Sequence, residues 1–447
     1  MHLVRSGVAA VLMLAAALGA ARAAELELKL VADGLTAPVD LVEPADGSGR
    51  KLVTDQVGLV HVFAADGKRL EAAFLDLRDR MPTLLRGFDE RGLLGFALHP
   101  GFARNGRFFI TYSAPLRAGA PSGWNYTRRV SEFAIALNDP NRADPGSERV
   151  LLELDWPSRK HNGGGLAFGP DGLLYVGLGD GGAVHGVGPE VLQEAFDVPE
   201  SYDRWDLMAQ DTGSLYGKIL RPDVDRAFPG YAIPPLNPLA GVEPGRDEIY
   251  AWGFRNPYRF SFDPAGHGLF VTAVGETLWE SIYLVDRPGN YGWAVREGRH
   301  CFNRRTPKAP PETCPATGPH GEPFIDPVIE YSNMSVEREG VAVGRPGIGT
   351  AVVGGHLYRG AALPKLQGQF VFGDWSSDFM RPSGQVFVAR SPVQWGAAWQ
   401  VEKLLDVGSR VLSLGRDAAG ELYVLTNDEL GPFGETGKVY KLTPRGG

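Results

Sequence analysis

Only two cysteines, Cys301 and Cys314, occur in 447 residues, so no cytochrome-type C-x-x-C-H attachment sequence is present. In an oxidising compartment the two would most simply pair, and closing a loop of this size contributes about 3 kcal/mol in the chain-entropy picture. A two-cysteine metal site is the alternative, with His300 the only histidine nearby. Beyond the N-terminus no segment is long and apolar enough to form a membrane-spanning helix. Basic runs are missing as well. Lysine and arginine number 45 against 53 acidic residues, a formal charge of −8, which argues against nucleic acid or anionic lipid as a partner. A strong helical period is absent throughout.

What is present begins with a secretory pattern in residues 1–23. Arg5 supplies a positive start, an apolar core follows, and Ala21-Arg22-Ala23 offers a small-x-small cleavage site. The core is short for a bilayer, although an uncleaved anchor is the alternative. A periplasmic or secreted protein is therefore expected. Removing the segment takes away Arg5 and Arg22 and no acid, moving the formal charge from −8 to −10.

The remainder, 24–447, reads as one all-β domain. Its 59 glycines and 34 prolines punctuate short apolar strands, so they mark turns rather than disorder. Six stretches repeat strand, turn, strand: 37–64, 92–113, 164–179, 258–285, 354–388 and 411–442. Clear turns are His99-Pro100-Gly101, Gly169-Pro170-Asp171-Gly172, Asp263-Pro264-Ala265-Gly266 and Asp417-Ala418-Ala419-Gly420. Six such units point to a six-bladed β-propeller, with the short strand Leu26–Val31 completing the last blade. A two-sheet sandwich is the competitor. Residues 183–248 and 290–349 break the repeat as long loops, expected to gather on one face and form a binding site.

Lys160-His161-Asn162-Gly163-Gly164-Gly165-Leu166, closing on Gly179-Asp180-Gly181-Gly182, is the most informative stretch. Glycines allow close backbone approach by a flat ligand, and an aspartate beside a histidine raises its basicity for proton removal. His161 is expected on an exposed turn, where it could also be an ordinary surface residue. Arg255-Asn256-Pro257 could be a turn whose arginine pairs with a carboxylate. Asp223 and Asp225 read as solvated turn residues. Trp279 and Trp293 suit either packing or a sugar platform.

Further matches are Glu90-Arg91-Gly92-Leu93-Leu94-Gly95-Phe96 before His99-Pro100, Gly217-Lys218-Ile219-Leu220-Arg221 and Gly253-Phe254-Arg255-Asn256-Pro257. Gly289-Asn290-Tyr291-Gly292-Trp293 follows, then Arg410 leading into Leu422-Tyr423-Val424-Leu425-Thr426. In this order they resemble the soluble pyrroloquinoline-quinone (PQQ)-dependent glucose/sorbosone (aldose sugar) dehydrogenases, from about Leu35 to the C-terminus. The resemblance implies a six-bladed propeller in which His161 takes the proton of a sugar's anomeric hydroxyl while hydride moves to PQQ. It implies Asp180 as the partner of His161, and Arg255 and Asn256 as cofactor contacts, with Arg255 absorbing negative charge. Arg410 and Thr426 fall among the cofactor-binding positions. Calcium would sit on the backbone carbonyls of Gly275 and Glu276. A sugar substrate and a separate electron acceptor, such as a cytochrome or a quinone, complete the implied set.

Several positions depart from the family pattern. Glu90 replaces a glutamine, Lys160 an acidic residue, and His356 an aromatic hydroxyl, all at cofactor-contacting positions. His185 replaces a further glutamine. No lysine lies near Gly373-Asp374-Trp375-Ser376-Ser377, and Gly408 stands where one of two arginines is expected. PQQ carries three carboxylates, and each charge-assisted bond lost costs about 1.5–3 kcal/mol; Lys160 offsets part of that. Glu90, His161, His185 and His356 could instead surround one pocket as a transition-metal set. Three functions are thus open: a PQQ- and calcium-dependent sugar dehydrogenase, a non-catalytic propeller binding a glycan or protein, and a metal-dependent hydrolase.

Overall fold

A computed structural model describes residues 26–182, 208–266, 268–303, 306–338, 340–341, 343–344, 346–392 and 399–446. The secretory pattern and His185 lie outside these residues. The described chain is all-β. Turn chemistry lays out its hairpins. Gly172 donates its N–H to the Gly169 carbonyl at 3.0 Å, joining strands Leu166–Phe168 and Leu174–Leu178. Gly266 and Gly420 close the corresponding turns onto Asp263 and Asp417.

The strands pair mostly antiparallel with their neighbours in sequence. Leu93–Leu98, Arg107–Ala114, Tyr126–Ala136 and Asp139–Trp156 form one sheet, and Val352–Leu357, Phe370–Asp374, Gln385–Arg390 and Gln400–Asp406 another. The largest sheet runs through eight strands, but its Pro38–Val42 and Arg410–Arg416 strands share one parallel register contact, Val42 with Arg416. It is therefore two antiparallel groups side by side. Strand Leu26–Leu35 pairs with Gly437–Pro444, as expected for an N-terminal strand completing the last unit.

First strands touch in a closed circuit: Pro38–Val42, Leu93–Leu98, Leu166–Phe168, Pro257–Phe262, Val352–Leu357 and Arg410–Arg416, which returns to Pro38–Val42. Aromatic and aliphatic side chains fill the wedges between sheets. Phe74, Phe96, Phe108 and Phe133 pack together in one of them, with centroids 5.0 to 6.1 Å apart.

Besides a small two-residue hairpin, two strands were not expected inside the long loops. Lys218–Leu220 lies within 183–248 and pairs with both Leu174–Leu178 and Ile249–Trp252. Ile329–Ser332 lies within 290–349 and pairs with Trp279–Val285. Both are too short for alternation to show. Cys301 and Cys314 form a disulfide, with Cα atoms 5.5 Å apart. It closes a loop beside the small Arg296–Glu297/His300–Cys301 hairpin. Among the described residues no helix is long and apolar enough to cross a membrane.

Buried carboxylates staple neighbouring sheets through backbone N–H groups. Glu280 accepts from Val352 at 3.0 Å, Gly275 at 3.2 Å and the Asn333 amide at 2.8 Å. Asp374 accepts from Thr350, Ala351, Ser376 and the Tyr331 hydroxyl. Burial pushes Glu280 up to about 8 and Asp374 to about 7. Carboxyls in the unfolded chain ionise near 4, so in between the native state keeps protons that the unfolded state has released. Their contribution is fully present below about pH 4 and is lost as pH rises through 7 to 8. Each group then lowers stability by about 1.4 kcal/mol per pH unit across its window. Thermal unfolding should show a higher melting temperature at about pH 5.5 than at about pH 8, with a shallower slope in Glu280→Gln. A flat profile would remove this account.

Candidate active site

A cavity of about 450 Å³ opens where the leading ends of the first strands converge, and His161 lines it. His161 is buried at 3% exposure, so the expectation of an exposed turn is corrected. Burial follows from the glycines around it. Gly163 takes φ 64°, and a Cβ there would meet the Gly177 carbonyl oxygen at 2.5 Å, so only glycine lets the turn lie on the neighbouring strand. His161 itself adopts φ 51°, alone among the described non-glycine residues. Such a conformation costs about 1–3 kcal/mol and persists where the surroundings over-determine it.

Those surroundings are explicit. His161 Nδ1 lies 2.7 Å from Asp180 Oδ1. The Gly182 N–H donates to the same oxygen at 3.0 Å, and Trp293 Nε1 donates to Oδ2 at 2.8 Å. A carboxylate held from both sides selects the Nδ1–H tautomer and leaves Nε2 as the basic nitrogen. Nε2 makes no hydrogen bond to a described residue. This arrangement can accept a proton from a hydroxyl group placed in the cavity.

Residues 35–435 match the family model described as glucose/sorbosone dehydrogenase. The chain belongs to that family. Its similarities divide between two kinds of protein. It is 28% identical to Hedgehog-interacting protein of Mus musculus over 424 residues, covering 92% of this chain and 52% of that protein. It is also 28% identical to the HIPL1 protein of Arabidopsis thaliana, covering 87% of this chain and 60% of that one. The chain thus spans little more than half the length of these curated relatives. Among solved structures, the PQQ-bound aldose sugar dehydrogenase of Streptomyces coelicolor shares the fold. Its TM-score is 0.63 at 20% identity, covering 94% of this chain and 99% of the other.

In this glucose/sorbosone dehydrogenase family member the expected site residues divide. His161, Lys160, Glu90, Arg255, Asn256, Gly275 and Glu276 all line the cavity. Asp180 stands directly behind His161. Glu90 is turned to the protein: its Oε2 accepts the His161 backbone N–H at 2.6 Å. Asn256 Oδ1 accepts the Gly163 N–H at 2.8 Å, clipping the histidine turn. Arg255 pairs with Glu276 at 2.6 Å and donates to the Val274 carbonyl at 3.2 Å. The amides of Gly275 and Glu276 donate to Glu280 and Glu297.

Three expected contacts fall outside the cavity lining. His356 Nε2 donates to the Leu414 carbonyl at 3.1 Å, and burial, with the Arg416 charge, pushes the ring down to about 3. It is a neutral histidine between strands, so it and His161 do not form one metal pocket. Among the described residues no group of three or more His, Cys, Asp or Glu could hold a metal ion. Arg410 donates to the carbonyls of Asp428, Phe379 and Met380 and lies 5.1 Å from the Trp375 ring. It buttresses the cavity wall from behind. Thr426 is buried beside Asn427, which does line the cavity. Neither Asp225 nor Trp279 lines the cavity. Asp225 pairs with Arg107 and His99, and Trp279 stacks on His300 at 3.9 Å.

Sequence reasoning missed the aromatic wall. Phe88, Trp375 and Phe379 pack with centroids 5.2 to 6.3 Å apart along one side. It also left the part played by Trp293 open, although the Gly-Asn-Tyr-Gly-Trp sequence was the available signal.

The cavity offers few cations to the three carboxylates of PQQ. Lys160 and Arg255 are the lining cations, against Asp89, Glu90 and Glu276. Asp89 is neutralised by Arg91 at 2.7 Å, and Arg255 is spent on Glu276. Lys160 alone is left without an ion pair to a described residue.

Proposed function

We propose that this family member is an exported oxidoreductase acting on the CH–OH of a sugar. Residues 24–447 then form a single six-bladed propeller domain, and His161 is the base that takes the hydroxyl proton. The observation that carries this reading is the 2.7 Å His161–Asp180 pair, held in a strained backbone conformation at the cavity wall. Asp180 orients the imidazole and stabilises it once protonated, while Trp293 fixes Asp180. The aromatic wall offers apolar faces to a sugar ring.

The family implies PQQ as electron acceptor, with calcium on the Gly275 and Glu276 carbonyls and reoxidation by a separate cytochrome or quinone. The charge balance of the cavity favours a second reading, a propeller that binds a glycan or protein without catalysis. One titration tells them apart. Metal-stripped protein is mixed with PQQ, with and without calcium, and dye reduction is followed across a panel of aldoses. Sugar- and calcium-dependent reduction supports the dehydrogenase; no binding at micromolar PQQ and no reduction would favour the second reading. Glu276→Gln removes the counter-charge of Arg255, so PQQ should bind that variant about 10- to 100-fold more tightly than wild type.

A further inference from the structure

The left-handed backbone of His161 needs a cause, and the hydrogen bonds around it single one out. Every residue of the turn is tied down by a different partner. The Lys160 carbonyl accepts from Trp156 Nε1 at 3.1 Å. Asn162 is held by the Tyr126 hydroxyl through its side chain and by Arg128 through its carbonyl. Gly163 is held by Asn256. His161 has one backbone tie of this kind, its N–H to the Glu90 carboxylate at 2.6 Å.

Glu90 itself projects from an unusually stiff support. The residues on either side form a bidentate pair, Arg91 Nε and Nη2 to Asp89 Oδ1 and Oδ2 at 3.0 and 2.7 Å. The Leu85 N–H also donates to Asp89 at 2.9 Å. Gln56 Nε2 donates to the carbonyls of both Asp89 and Arg91, at 2.8 and 2.7 Å. The spacing between Glu90 and the histidine turn is fixed as well, because a Cβ on Gly95 would collide with the Gly164 carbonyl oxygen. A carboxylate on such a support accepts a short, charge-assisted hydrogen bond from one chosen backbone N–H.

We propose that Glu90 is a positioning residue: it holds His161 in the left-handed conformation that sets the ring against Asp180. The catalytic consequence rests on the dehydrogenase reading, but the positioning does not. Small displacements of a base are costly. A misplacement of about 1 Å can lower the rate about 100-fold.

The test is ¹⁵N histidine labelling of the full chain, with His161 signals assigned by their loss in His161→Asn. Wild type should show the Nδ1–H tautomer. Glu90→Gln keeps an acceptor oxygen and should retain that tautomer. Glu90→Ala withdraws the acceptor and should give a mixed tautomer. Glu90→Asp, which keeps the charge but falls one methylene short, should resemble Glu90→Ala and serves if the alanine variant does not fold. In turnover, Glu90→Ala should lower kcat about 10- to 100-fold with little change in KM, and Glu90→Gln should restore most of it. An unchanged His161 signature in the alanine and aspartate variants would overturn the proposal, as would a glutamine variant as disturbed as alanine. The spectra need no turnover. A protein that oxidises no sugar therefore counts against the dehydrogenase reading, while the tautomer still decides the role of Glu90.

Discussion

His161→Asn should lower sugar oxidation by about 10²- to 10⁴-fold, the usual contribution of a positioned general base. Asparagine suits this test better than alanine, because its short polar side chain tolerates the left-handed backbone that His161 occupies at φ 51°. The fold should survive. Asp180 loses its imidazole partner but keeps Trp293 Nε1 at 2.8 Å and the Gly182 N–H at 3.0 Å, so the buried carboxylate is not left bare. The loss of one hydrogen bond of this kind costs about 1–3 kcal/mol, visible as a modest fall in melting temperature. Retained turnover with an intact fold would remove His161 as the base. Loss of turnover together with gross unfolding would show that the turn is structural, which is why melting and rate must be measured on the same preparation.

The parts of the site that were legible in the sequence are the local ones. His161 and Asp180 sit nineteen residues apart on two glycine turns, and the antiparallel pairing of Leu166–Phe168 with Leu174–Leu178 returns the second turn to the first. Glycine clusters and turn dipeptides are readable because their conformational demands are strong and local. The unread parts depend on partners distant in the chain. Trp293 reaches Asp180 across 113 residues, and Glu90 reaches the His161 N–H across 71. Nothing local to either residue announces that contact. The resemblance placed Arg255, His356 and Arg410 at cofactor positions, and position alone said nothing of what their side chains would find here. Arg255 found Glu276, the carboxylate partner that an arginine on such a turn can take. His356 found a carbonyl between strands, and Arg410 the wall behind Trp375. Register placed these residues near the site, but side-chain partners decided what they do.

Gly179→Ala should have the larger effect on stability. Gly179 follows the Leu174–Leu178 strand and precedes Asp180, and a Cβ on it would run into the His161 carbonyl oxygen, with the carbonyl carbon at 2.6 Å and Asn256 Oδ1 at 3.1 Å. Those obstacles are backbone and a hydrogen-bonded amide, so no flexible side chain can swing aside. Gly179 is not among the glycines with positive φ, so steric conflict alone sets its cost. Gly172 provides the converse case, with φ 77° and open space around its missing Cβ. Gly172→Ala should cost about 1–2 kcal/mol from backbone strain alone. Gly179→Ala should exceed about 4 kcal/mol, within the range that marks a specific structural failure. Urea unfolding of the two variants beside wild type measures both. If Gly179→Ala is the milder of the two, the close packing of the His161 turn on the Asp180 strand is wrong, and the dyad built on it fails as well. If Gly179→Ala folds but is strongly destabilised, its turnover should fall to the level of His161→Asn, because the displaced carbonyl carries the imidazole away from Asp180.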